Sequence, residues 1–86
     1  MLSELTVLLD TCAGKYRQGH EAEASTVLQQ FISVFSETVA IKPAMLTLAT
    51  ERSVAAALGY QESQDWIALA DELQYVLKLE IEKSGW

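Results

Sequence analysis

Apolar residues at Leu2, Leu5, Leu9, Cys12 and Tyr16 recur three and four positions apart, which lines them along one face of an α-helix. The spacing predicts a helix over 2–18. Gln18-Gly19 is expected to end it, because glycine takes the left-handed conformation of a helix end without a Cβ clash. Lys15 and Arg17 set positive charge at the negative pole of that helix, and Glu21 and Glu23 set negative charge at the start of the next, with His20 in the connection. The second helix carries Ala24, Val27, Leu28, Phe31, Ile32, Phe35 and Val39, a stripe broad enough to predict a place at the centre of the fold. It should end near Val39–Ile41, since Pro43 disfavours helical geometry at Lys42 and is itself suited to open a new helix.

A third helix is predicted over 43–58, rich in small residues: Ala44, Ala49, Ala55, Ala56 and Ala57 stand beside Met45, Leu46, Leu48, Val54 and Leu58. Gly59 should stop it and Tyr60-Gln61-Glu62 should form the connection. Ser63 or Asp65 then caps a fourth helix that runs to about Lys83. Its inward set reads Trp66, Ala70, Leu73, Leu77 and Ile81, flanked by Leu69 and Val76, with Asp71, Glu72, Lys78 and Glu82 outward and Gly85 as the end. No stretch alternates in the manner of a strand. The expected fold is all-α, a small up-and-down four-helix bundle formed by one helical domain over 1–86; three helices with one bent is the alternative.

Charge narrows the partners. Six Lys and Arg against twelve Asp and Glu give a net charge of -6, which repels phosphate backbones and anionic lipid, so neither nucleic acid nor a membrane is an expected partner. No apolar run reaches the roughly 20 residues that span a bilayer, and Met1-Leu2-Ser3-Glu4 lacks the basic flank of a signal peptide. A complete, cytoplasmic product is the expectation. Half of the residues are apolar, which is much for a chain of this length, and a second copy or a protein partner is expected to cover the excess.

Candidate chemistry is sparse. The lone Cys12 belongs to the inward stripe of the first helix and should be a buried, reduced core residue, while His20, the only imidazole, falls in a turn. The carboxylates of Asp71-Glu72 and of Glu80 and Glu82 diverge on a helix, Glu80 pairs naturally with Lys83, and no metal-ligand spacing occurs. No catalytic residue, metal, cofactor or small-molecule ligand is expected. The residues suited to an interface are Met45, Leu48, Ala49, Ala56 and Leu58, where small side chains allow close helix approach, with the rings of Tyr75 and Trp86 as anchors.

The segment Asp65-Trp66-Ile67-Ala68-Leu69-Ala70-Asp71-Glu72-Leu73-Gln74-Tyr75, with Gly14-Lys15-Tyr16-Arg17-Gln18-Gly19 ahead of a helix containing Phe31-Ile32, resembles a group of small uncharacterised bacterial helical proteins. The resemblance implies a bacterial cytoplasmic setting and supplies no catalytic residues. The expected function is a non-enzymatic helical interaction module, homodimeric. The alternative is a small secretion or flagellar chaperone that holds an amphipathic client helix in an apolar groove.

Overall fold

The computed structural model describes residues 2–85, which form four helices and, among them, no strand. Helix α1 spans Leu2–Arg17, α2 Glu21–Ile41 and α3 Leu48–Glu62; a single 3₁₀ turn, Pro43–Met45, separates α2 from α3. The last helix, α4 (66–84), runs on continuously through an α-helical segment Trp66–Asp71, a π-helical segment Glu72–Leu77 and a second α-helical segment Lys78–Ser84. The all-α class read from the sequence is therefore the observed one.

Helix α1 ends where glycine allows it. Gly19 has φ +79°, and the two bonds that close the end are His20 N–H to the Lys15 carbonyl at 2.9 Å and Gly19 N–H to the Tyr16 carbonyl at 3.1 Å. That pair of bonds defines a Schellman motif and satisfies carbonyls the helix itself leaves free.

The third helix departs from its expected bounds at both ends. Pro43 opens only the 3₁₀ turn, and α3 starts after Thr47, whose side chain accepts a bond from the Thr50 N–H at 3.1 Å. A threonine that satisfies an orphan N–H outcompetes a proline that merely tolerates the start. At the other end α3 runs through Gly59, and Tyr60, Gln61 and Glu62 are helical. Its stop is a second Schellman motif, with Asp65 N–H on the Tyr60 carbonyl at 2.9 Å and Gln64 N–H on the Gln61 carbonyl at 3.1 Å. Gln64 therefore holds the left-handed position, at φ +59°. Asp65 follows at once as the cap of α4, accepting from the Ala68 N–H at 3.3 Å.

Helix α1, not α2, is the central element. It packs against α2 on one side and against all three segments of α4 on the other, while α3 packs mainly on α4. The small Cys12 and Ala13, both fully buried, let two neighbours close on α1 at once. The broad stripe of α2 has a different use. With 21 residues against the 16 of α1, α2 carries its Phe35 end beyond its partner, and Met45 and Leu46 fold back to pack on the core there. Helix α1 runs antiparallel to α4, with Arg17 paired to Asp71 at 2.8 Å at one end and Lys78 to Asp10 at 2.9 Å further along.

The π segment sets the register of α4. Leu69, Leu73, Leu77 and Ile81 are all buried at intervals of four. In a regular α-helix each such step rotates the side chain by about 40°, so the row would wind off the core within three steps. Bonds such as Lys78 N–H to the Leu73 carbonyl, five residues back, widen the turn and keep the row straight. Val76, expected beside the inward set, is turned out and exposed.

Candidate functional site

The chemistry-bearing residues do not converge. Cys12 is fully buried, its thiol donates to the Ala24 carbonyl at 3.3 Å, and burial pushes its pKa up to about 12. A thiol held in that state is a poor nucleophile. His20 is exposed at the start of α2 and its side chain makes no capping bond. Among the described residues no group of three or more His, Cys, Asp or Glu side chains is arranged to hold a metal ion.

Ion pairs account for much of the surface charge. The Lys15 ammonium donates to Glu23 at 2.8 Å and holds that carboxyl below its ordinary range, through the hydrogen bond first and the charge second. The bond to Asp10 raises the Lys78 pKa, and Lys83 meets Glu80 at 3.5 Å as their spacing suggested.

The interface residues read from the sequence fall in several places. Met45 packs on the core within the 3₁₀ turn. Leu48 stands on the outer crest of α3, and Ala49 and Ala56, seven residues apart, share one flank. Leu58 lies on the opposite flank, about 160° round the helix from Ala56. There, with Glu51, Val54 and Ala55, it forms the α3 wall of an apolar cleft of about 280 Å³, completed by Phe35 and Leu46. Tyr75 is on α4 and 63% exposed, and Trp86 lies outside the described residues. These residues thus belong to no single face.

A surface that the sequence reading did not single out runs along α4. Because the π segment straightens the helix's rows, positions 67, 71, 75, 79 and 83 form a column, and every member of it is exposed. Ile67 is 57%, Tyr75 63% and Leu79 51% exposed, and Val76 sits alongside at 43%. The column's acidic member, Asp71, is neutralised by Arg17, whose Nη2 lies 2.8 Å from Oδ1. The same guanidinium donates to Gln74 at 3.3 Å and stacks over the Tyr75 ring, 5.5 Å from its centroid. The signal was present in the sequence as apolar residues at 67, 75 and 79, but α-helical periodicity spreads them round the helix.

Two concave features accompany this column. The cleft between α2 and α3 is apolar, and a wider trough between α1 and α2 mixes the polar side chains Glu4, Thr26, Gln29, Gln30 and Ser33 with Leu8 and Val34. Comparison of the chain with protein-family models, with curated proteins and with solved structures gives no match in any of the three.

Proposed function

We propose that this chain is a non-enzymatic helical protein–protein interaction module whose binding surface is the outer column of α4. The carrying observation is the alignment of Ile67, Tyr75 and Leu79, with Val76 beside them, on one exposed stripe whose carboxylate is already neutralised by Arg17. Scattered exposed apolar side chains are ordinary, but large ones aligned on one stripe, broken only by a carboxylate that Arg17 neutralises, are what a contact surface presents. Covering each of these half-exposed side chains is worth about 1 kcal/mol, or on the order of 4 kcal/mol for the row. That only matches the lower end of the freedom lost on association, so the partner must bring an apolar row of its own. The cytoplasmic setting belongs to the same proposal, with a lone, buried Cys12 and no internal disulfide to call for an oxidising compartment. Among the described residues no helix is long and apolar enough to cross a membrane.

A second reading is favoured by the α2–α3 cleft. At about 280 Å³ it falls just under the range of drug-sized sites and suits one or two large side chains of an amphipathic client helix. The two readings separate by position. A photoreactive residue placed at Leu79 and, in another sample, at Leu58 is activated in expressing cells, with exposed Glu37 as control. An adduct of one defined mass at position 79 alone supports the α4 surface; one at position 58 alone supports the cleft. Absence of any defined adduct at both positions contradicts the interaction reading.

A further inference from the structure

We propose that the partner of the α4 column is a second copy of this chain, bound antiparallel about a two-fold axis that passes between Asp71 and Tyr75. This rests on the interaction reading and names its partner. A two-fold contact must be self-complementary, so that whatever residue i meets, the reverse contact occurs as well. The column meets that condition. Around position 73, Ile67 faces the partner's Leu79, and Asp71 faces the partner's Tyr75; both contacts occur twice. The apolar residues thus meet apolar residues at the two ends. In the middle a phenol hydroxyl meets a carboxylate, which accepts its hydrogen bond.

Charge limits where a second copy can approach. Two chains that each carry -6 repel one another over most orientations. The α4 column is a place where approach is not opposed, because Arg17 neutralises Asp71 and the other members up to Leu79 are uncharged. The Arg17 guanidinium, already fixed by Asp71, Gln74 and the Tyr75 ring, loses little freedom when the second copy arrives. A second copy also supplies the matching apolar row that the surface requires.

The test is sedimentation of the full chain with a charge exchange built on the register. Wild-type protein is expected to be dimeric at tens of micromolar. Leu79→Glu and Ile67→Lys are each expected to weaken association by on the order of a hundredfold, since each sets a charge into an apolar contact that must be desolvated. Both positions are exposed, so the variants keep the helical spectrum and cooperative melting of the wild type. The double variant sets an ammonium against a carboxylate at both ends and is expected to recover at least tenfold of that loss. A wild type that is monomeric up to about millimolar concentration overturns the proposal, as does a double variant no tighter than the single ones. A monomer that still yields a heterologous adduct at position 79 overturns the second copy alone; a monomer with no adduct there overturns the α4 surface as well.

Discussion

The Tyr16 ring lies flat against the Trp66 ring, with centroids 5.2 Å apart and planes within 7°. This stack joins the last turn of α1 to the first turn of α4, and the Tyr16 hydroxyl adds a 3.0 Å bond to Ser25 on α2. Three helices are tied at one point. Trp66→Ala is expected to cost about 2 kcal/mol, less than truncation of a fully buried tryptophan because the ring is partly exposed. Urea unfolding followed by circular dichroism measures it, and an unchanged midpoint would show that the stack contributes nothing.

Gln64 occupies a position built for glycine. A side chain at φ +59° suffers the Cβ clash of left-handed backbone, at a cost of about 1 kcal/mol. Gln64→Gly is therefore expected to raise stability by about 0.5–1 kcal/mol, partly offset by the greater freedom of glycine in the unfolded chain. Thermal unfolding reads the sign directly.

Burial of Cys12 predicts a weakening of the fold in alkali. Its thiol ionises near 9.0 when unconstrained and at about 12 in the folded protein, because desolvation opposes the thiolate. Between these values the folded chain binds more protons than the unfolded one, so stability falls as pH rises. The contribution is fully present below pH 9 and is lost as pH climbs through the folded value. Tyr16, whose pKa is also raised first of all by burial, acts in the same sense at higher pH. Chemical denaturation at a series of pH values should show a steep decline from pH 9 upward in the wild type and a shallower one in Cys12→Ala. Equal slopes would exclude the thiol as the cause.

The first two helices were legible because their ends are marked by residues of fixed meaning. Gly19 stops α1, Pro43 interrupts the chain after α2, and the stripes between are regular. The α3 boundaries were not legible, because hydrogen bonding decided them: Thr47 capped more effectively than Pro43, and a Schellman motif formed at Gln64 although Gly59 offered the easier backbone. The breadth of the α2 stripe does not reveal its place, because that stripe covers the folded-back Met45 and Leu46 as well as α1. The α4 surface was hidden by the π segment, whose trace in the sequence is the spacing of Leu69, Leu73, Leu77 and Ile81 by four without a three. A row of that kind, read at the α-helical period, places Val76 inside and scatters Ile67, Tyr75 and Leu79; with a π segment between two α segments the period averages close to four and aligns them.

With the contact on α4, the exposed flank of α3 is a bystander to self-association. Ala49→Glu, on the side of α3 away from the cleft, is expected to leave the sedimentation coefficient and the dimer affinity within about twofold of the wild type, since it changes neither the α4 column nor its neutralised charge. A loss as large as that from Leu79→Glu would move the contact from α4 to α3.

Within one chain, Ile67 and Leu79 lie twelve residues apart on α4, roughly 18 Å along the helix axis, too far for a nuclear Overhauser effect between their methyl groups. In the antiparallel pair each sits against the other's counterpart. An isotope-filtered spectrum of a mixed sample, one half labelled at isoleucine methyls and the other at leucine methyls, therefore reads the α4–α4 contact itself. An intermolecular cross-peak between Ile67 and Leu79 that disappears on dilution below the dissociation constant is expected; a dimer without that cross-peak would place the contact somewhere other than the α4 column.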